Sequence, residues 1–365
     1  MSARQKLLLV SARWDHLGGH SGLAPFGKQL VAHFMVQKVV PNLVDKLRVG
    51  GRLVWSVLRE RLFGIPRRRG WNPFYNRHGL LLETAARRMA QAQHFDVIFF
   101  EALEDHFDAF ADARQWLKDT HVAGVSHQPP AWWRLYAGNN NVFAAVDTVI
   151  ALSCPAQAYL QQIGHNNVQF LPHGVDAEFF TPEASRKLTE NVPVEVLFCG
   201  QWLRDFQQLS DTLNVLESGS KNYIFHLVVP KFARNFEQHY RLAQHANVHW
   251  YAGVTDIELR NLYRRAHLLF LPLIDATANN SVLEAMACGL PMVVSKTGGV
   301  MDYVNEGEAV FLTEKQGEHA ADRLAWSVNN YAECVAGAER ARNRAVLELD
   351  WPVITARLAK LLSAI

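Results

Sequence analysis

Short apolar runs alternate with longer stretches of helical periodicity along this chain. LLLVSAR begins at Leu7, DVIFFEAL at Asp96, VAGVSH at Val122, TVIALS at Thr148 and QFLPHG at Gln169. Runs of this length, with helical patterns between them, predict the strands of a parallel sheet. The rhythm then restarts with VEVLFCG at Val194, IFHLVVP at Ile224, VHWYAG at Val248, HLLFLPL at His267, PMVVS at Pro291 and AVFLT at Ala309. An α/β chain of two doubly wound halves is expected, with a cleft between them. In the second half Thr255 and Glu258 form a capping box, and Leu259, Leu262, Tyr263 and Ala266 fall on one face of the helix that follows. That face should cover the sheet. Residues 172–192, polar and followed by Pro193, are the expected connection between the halves.

The run NNSVLEAMACGLPMVVSKTGG, 279–299, combines a helix start, a fixed carboxylate, a strand and a diglycine turn. Asn279 or Asn280 can cap a short helix, and Ser281 with Glu284 has the form of a capping box. Gly289 stops the helix and Pro291 prevents its resumption. Leu290 to Val294 read as a strand buried on both faces, ending at Ser295 and Lys296. Gly298 and Gly299 then let backbone approach a ligand at the carboxyl end of a strand, where open α/β sheets bind substrates. Helix starts beside such a crevice favour anions. A plainer reading fits the same residues, with Glu284 only completing the cap and the glycines only turning the chain.

Composition narrows the choice. In 365 residues, 49% hydrophobic, there is material for two cores. Lys plus Arg (37) nearly balances Asp plus Glu (35), so no global field draws nucleic acid. Cys154, Cys199, Cys288 and Cys334 are too far apart for a zinc spacing or a disulfide framework, which fits a reducing cytoplasm. His16 and His20 are separated by Gly18 and Gly19, which break the helix that would align them on a metal. The first residues carry too short an apolar stretch for a signal peptide, and no apolar segment approaches the roughly 20 residues that span a bilayer. A cytoplasmic protein, soluble or lying on a membrane surface, is expected. GLAPFGKQ, from Gly22, nearly spells a nucleotide phosphate loop, but Gln29 stands where the magnesium-binding hydroxyl belongs.

With Glu284 in its setting and PHGVDAEFFTP from Pro172, the chain resembles glycosyltransferase family 4, retaining enzymes of the GT-B architecture. The resemblance spans nearly the whole length. It includes a glycine-rich loop after the first strand (Gly18, Gly19, His20, Ser21, Gly22), a histidine at a strand end (His127 in VSHQPP), the EAMA-x-G-x-P segment and a final helix around Trp351 in LDWPVITARL. It implies two Rossmann-like domains facing a central cleft. Residues 1–172 would bind the acceptor, 173–345 the nucleotide sugar, and 346–365 would return as a helix to the first domain. The implied activity is transfer of a sugar from a nucleoside diphosphate sugar to a hydroxyl of a glycan, glycolipid or lipid-linked acceptor, without a metal or other cofactor. UDP and GDP both remain open as the nucleotide, and the oligomeric state is open too. A GT-B epimerase or phosphorylase, or a noncatalytic sugar-nucleotide-binding protein, are the rival readings.

The resemblance also assigns roles. Asn280, Ser281, Val282 and Leu283 would offer helix-start amides to the departing phosphate, with Asn279 beside them. Glu284 would accept two ribose hydroxyls, and Gly18 and Gly19 would line the donor. His127 would hydrogen-bond the donor sugar, although a strand-end histidine also serves as a plain core residue. Arg204 in CGQWLRDF would meet the diphosphate, helped by Lys296 or Lys231. Two departures from the family pattern stand out. Gln201 follows Gly200 where an arginine is usual, and Ala276 occupies the place of a glutamate eight residues before Glu284, leaving Asp275 or Asn279 to reach the sugar.

One further segment carries a possible partner. In 46–71, Lys46, Arg48, Arg52, Arg59, Arg61, Arg67, Arg68 and Arg69 outnumber the single acid Glu60, and Leu53, Val54, Val57, Leu58, Leu62 and Phe63 interleave with them. Such a segment can lie in an anionic membrane surface with Trp55 or Phe63 at the acyl boundary. An ordinary surface helix packed on the first domain has the same composition.

Overall fold

Among the described residues of a computed structural model of the chain, twelve strands form two separate six-stranded sheets. The structure describes residues 4–12, 18–63, 75–117, 119–138, 141–183, 187–189, 192–217, 219 and 222–363. His16, Arg67, Arg68, Arg69, Trp71 and the side chain of Phe63 lie outside the described part. The chain divides into two compact units, one of Met1–Arg13, Gly27–Leu171 and Thr355–Ile365, the other of Trp14–Phe26 and Pro172–Ile354.

The first sheet comprises β1 (Lys6–Val10), β2 (Met35–Lys38), β3 (Val97–Phe100), β4 (His121–Ser126), β5 (Thr148–Ala151) and β6 (Val168–Phe170). Its order is β2-β1-β3-β4-β5-β6, with every pair parallel. β1 and β3–β5 are almost wholly buried, which is why they stand out in the sequence as apolar runs. β2, an edge strand of sequence MVQK with three of its four residues exposed, has no such signature and escapes the sequence pattern. Leu8, Val10, Ile98, Phe100, Trp133 and Phe143 centre this unit's core.

The second sheet comprises β7 (Val194–Cys199), β8 (Tyr223–Val228), β9 (Val248–Tyr251), β10 (Leu268–Leu271), β11 (Met292–Ser295) and β12 (Val310–Leu312). Its order is β12-β11-β10-β7-β8-β9, again all parallel. Connections leave β7 toward β8 on one side and reach β10 on the other, so the winding reverses between β7 and β10. That reversal opens a crevice at the carboxyl ends of these two strands. The helix Asp256–Arg265 carries the expected Thr255–Glu258 capping box and buries Leu262 and Tyr263 on the core.

The observed units change at Leu171/Pro172 and at Ile354/Thr355, where boundaries at 172/173 and 345/346 were expected. Residues 18–26 cluster with the second unit, and the return to the first begins at Thr355. Trp351, expected on the first domain, is buried within the second unit. Its ring lies 4.9 Å from His173 and 5.4 Å from Phe26, and any side chain at Gly174 would collide with it. Backbone bonds between Val175 and both Leu349 and Trp351 fix this arrangement.

Candidate functional site

The loops leaving β7 and β10 meet at the reversal point of the second sheet. After β7 the chain turns through Gly200 at φ 94° and Leu203 at φ 57°, the latter a left-handed conformation that side chains rarely adopt. The turn lies along the β10 exit, with Leu203 O accepting from Ile274 N at 2.9 Å and a bridge pairing Arg204 with Leu273. Arg204 is thereby directed back over its own strand. Its Nε donates to Cys199 O at 2.9 Å, Nη1 to Trp202 O at 2.9 Å, and Nη2 to Asn279 Oδ1 at 3.2 Å and Ser281 Oγ at 3.0 Å. A methyl group at Gly200 would sit 2.5 Å from Nη2, so glycine is required for this placement. Burial lowers the guanidinium's pKa, yet a positive group fixed by four acceptors is what an anionic ligand needs.

Asn279 caps the helix Asn280–Ala287, its Oδ1 accepting from Ser281 N at 3.1 Å and Val282 N at 3.4 Å. The capping box of Ser281 with Glu284 does not form, because the Ser281 hydroxyl donates to Cys199 O at 3.0 Å instead. The amides expected to face a phosphate are largely engaged. Those of Ser281 and Val282 serve the cap, and Leu283 N bonds Asn279 O within the helix. The buried Val282 and Leu283 belong to the core, and the positive groups at this end of the sheet are Arg204 beside the cap and Lys315, whose Nζ lies 3.4 Å from Asp205.

Glu284 is released from capping and buried at 3% exposure. Ser21 donates to its Oε1 at 2.5 Å, and the Tyr263 hydroxyl lies beside both this carboxylate and the Cys199 thiol. Burial pushes the Glu284 pKa up to about 7, against the opposing effects of Ser21, Tyr263 and Arg204. A carboxyl so placed is a buried hydrogen-bonding group.

The glycine-rich segment lies within the same unit. Gly19 N and His20 N donate to Asp256 Oδ2 at 2.6 and 3.1 Å, and a side chain at Gly18 would overlap the Asp256 carboxylate. His20 pairs with Asp176 at 2.7 Å and stacks on Phe179 with centroids 3.8 Å apart. At the expected donor-lining positions Gly18 and Gly19, the Asp256 carboxylate thus already accepts from the Gly19 and His20 amides and packs against Gly18. Sequence reading missed Asp256 and Tyr263 because both sit in a helix whose pattern was fully accounted for by capping and core packing.

Asp275 lies one residue beyond the segment that pairs with Leu203, half-buried, its Oδ1 accepting from Ala276 N at 2.8 Å. Burial raises its pKa, and Lys315 opposes this. The diglycine turn packs against the same loop. Gly298 has φ 52°, a side chain there would come within 2.3 Å of Ala276 O, and Gly299 N donates to Ala276 O at 2.7 Å. The close approach these glycines permit is thus to protein backbone. Lys296 is engaged with Glu306 at 2.6 Å and lies over the Phe311 ring. Lys231 is exposed in the short helical turn after β8.

His127 belongs to the first unit, at the end of β4. Its Nε2 meets Glu101 O at 2.7 Å, and burial lowers its pKa. Glu104, 2% exposed, accepts from Ser126 Oγ, His127 N and Gln128 N at 3.0, 2.6 and 2.9 Å, fixing the turn that holds the imidazole. Burial raises Glu104 to about 7 and Glu101, after β3, to about 8. Asp105 reaches about 6, through burial first and the Glu104 charge second. The signal for this group was present in the sequence as EALED directly behind an apolar run.

Residues 184–344 match the family model of group 1 glycosyl transferases. That span contains Arg204, Asp275, Asn279 and Glu284, and the two parallel sheets give the chain the α/β fold of the GT-B architecture. Among solved structures, sucrose-phosphate synthase from Thermosynechococcus elongatus superposes with a TM-score of 0.75 over 99% of both chains at 15% identity. Anabaena HepE, solved with UDP and glucose, gives 0.68 over 99% of this chain and 100% of its own at 17% identity. An α,α-trehalose-phosphate synthase (UDP-forming) from Burkholderia vietnamiensis gives 0.70 over 100% and 99% at 14% identity. At such identities the likeness is one of fold. No curated protein sequence matches the chain significantly.

Proposed function

We propose that the chain is a retaining glycosyltransferase that takes a sugar from a nucleoside diphosphate sugar to a hydroxyl of a glycan, glycolipid or lipid-linked acceptor. The observation that carries this reading is the convergence of Arg204, Asn279, Ser281 and buried Glu284 where the winding of the second sheet reverses. The family match over 184–344 supports it, as does the fold shared with HepE, which was solved with UDP and glucose. In this reading Arg204 meets the diphosphate and stabilises charge as the sugar departs, without a metal. Glu284 accepts the ribose hydroxyls, and Asp275 and His127 hold the sugar. The acceptor hydroxyl attacks the face the phosphate leaves and passes its proton to a departing phosphate oxygen.

A thermal-shift screen of UDP, GDP and their sugars, followed by transfer assays with and without EDTA, tests the reading. Ligand at 100 times Kd should add about 2.7 kcal/mol of stability. Glu284→Ala should abolish that gain while the unliganded protein stays folded. His127→Ala should lower turnover about 10- to 100-fold with little change in UDP affinity. Loss of folding in Glu284→Ala with no selective loss of affinity would show a purely structural carboxyl.

A noncatalytic binding role is the second reading, favoured by Ala276 in place of the family's glutamate and by an Asp275 carboxylate turned onto its own backbone. Tight nucleotide-sugar binding without hydrolysis or transfer across a broad acceptor panel would establish it.

A further inference from the structure

The helix Leu43–Phe63 of the first unit is oriented against the usual rule for a surface helix, which buries its apolar stripe. Its inward side is fixed by a charged residue. Asp45 is completely buried and receives Arg88 Nε at 3.0 Å and Nη2 at 2.9 Å, and Val49, one turn on, is 1% exposed. At about 100° per residue, Leu43, Leu47, Val54, Trp55, Leu58 and Leu62 fall on an arc of about 120° facing the other way. They are 71, 66, 59, 58, 42 and 67% exposed. Gly50 and Gly51 meet no atom within 4 Å of a built side chain, so neither is explained by close packing.

The charges flank this arc. Lys46, Arg48, Arg52, Arg59 and Arg61 give +5 against −2 from Asp45 and Glu60, a net +3, and Asp45 is already matched by Arg88 from another helix. Arg48, Arg52 and Arg59 line one border of the apolar arc, with Lys46 and Arg61 toward the other. A second copy of the helix laid on this face would bring arginines near arginines, which disfavours self-association. An anionic bilayer matches both features, apolar contact below and phosphate-bearing headgroups at the borders. Among the described residues no helix is long and apolar enough to cross a membrane, so contact through this helix would be in the plane.

We propose that this helix docks the protein onto an anionic lipid surface, with Trp55 and the leucines at the acyl boundary and the arginines at the headgroups. The docking is independent of the transferase reading. Co-sedimentation of the full chain with vesicles of phosphatidylcholine alone, and with added phosphatidylglycerol, tests it. Binding should need the anionic lipid, weaken in high salt, and fall about fivefold for each of Arg48, Arg52 and Arg59 changed to Gln. Trp55→Ser with Leu58→Ser should abolish it with the circular dichroism unchanged. Gly51→Leu, which adds apolar surface on the outward arc, should strengthen it, a gain that misfolding cannot imitate because it must retain the anionic-lipid requirement. Equal binding to both vesicle types, or none, would overturn the proposal. So would lipid-free dimerisation lost in the Trp55→Ser, Leu58→Ser variant, which would identify the face as a contact between copies.

Discussion

Glu284 shows how a single residue changes meaning once its surroundings are known. From sequence it belonged equally to a helix cap and to a ligand site, because the offset of three from Ser281 serves both. The cap went to Asn279, whose shorter amide side chain reaches the Ser281 and Val282 amides, leaving a buried acid with a pKa near 7. The sign of the consequence can be worked out. A folded pKa of about 7 lies above the reference value 4.5, so the folded state holds the extra proton between these values. The stabilisation is complete below about pH 4.5 and is lost as pH rises through 7, with an upper bound of about 3 kcal/mol. Glu284→Gln should therefore melt higher than the parent at pH 8 and match it at pH 5. Nucleotide affinity should run the other way, since ribose hydroxyls donate best to the ionised form. At pH 6 about a tenth is ionised, so Kd should be about tenfold weaker than at pH 8. A flat affinity profile by calorimetry would remove Glu284 from ribose binding. Arg204→Lys keeps the charge but loses the directed fork. It should lower nucleotide affinity by one to two orders of magnitude, and unchanged affinity would leave Arg204 a structural clamp.

Elements were legible where burial made them so. Eleven of the strands follow apolar runs, most of them because a strand covered on both faces leaves a continuous hydrophobic trace, while β6 and β9 keep such a run though only partly buried. β2 lies at an exposed edge and carries no such trace. Turns were less legible, because a glycine signals permission for close approach without naming the neighbour. Gly298 and Gly299 were expected to approach a ligand, and they approach Ala276 and Asp275. Gly298→Ala should displace that loop and combine contact strain with an unfavourable φ of 52°, for a loss of about 1–3 kcal/mol. Thermal melts read the loss directly. If the melting temperature holds while nucleotide affinity falls, these glycines face the ligand after all. The Asp256 contact with Gly19 and His20 was illegible for a different reason, since it joins positions 237 and 236 residues apart and leaves no local pattern.

Over the whole molecule, two sheets wound by the same rule place chemically different groups at their strand ends. Carboxylates and His127 gather behind β3 and β4 of the first unit, whereas Arg204 stands at the reversal point of the second. This contrast argues that the second unit alone recognises the nucleotide. A positive group suits a diphosphate, and Glu101, Glu104 and Asp105 would repel one wherever they are ionised. Hydrogen exchange of the full chain with saturating UDP should therefore slow amides in 199–206 and 279–284, while 101–106 and 126–130 stay at their unliganded rates. Segment 18–22 provides an internal control, because Ser21 already donates to Glu284. If ribose takes over that oxygen, Ser21→Ala should tighten UDP binding. If ribose binds alongside, the variant should leave Kd nearly unchanged. Protection confined to 101–106 and 126–130 would assign the nucleotide to the first unit and overturn the division of roles.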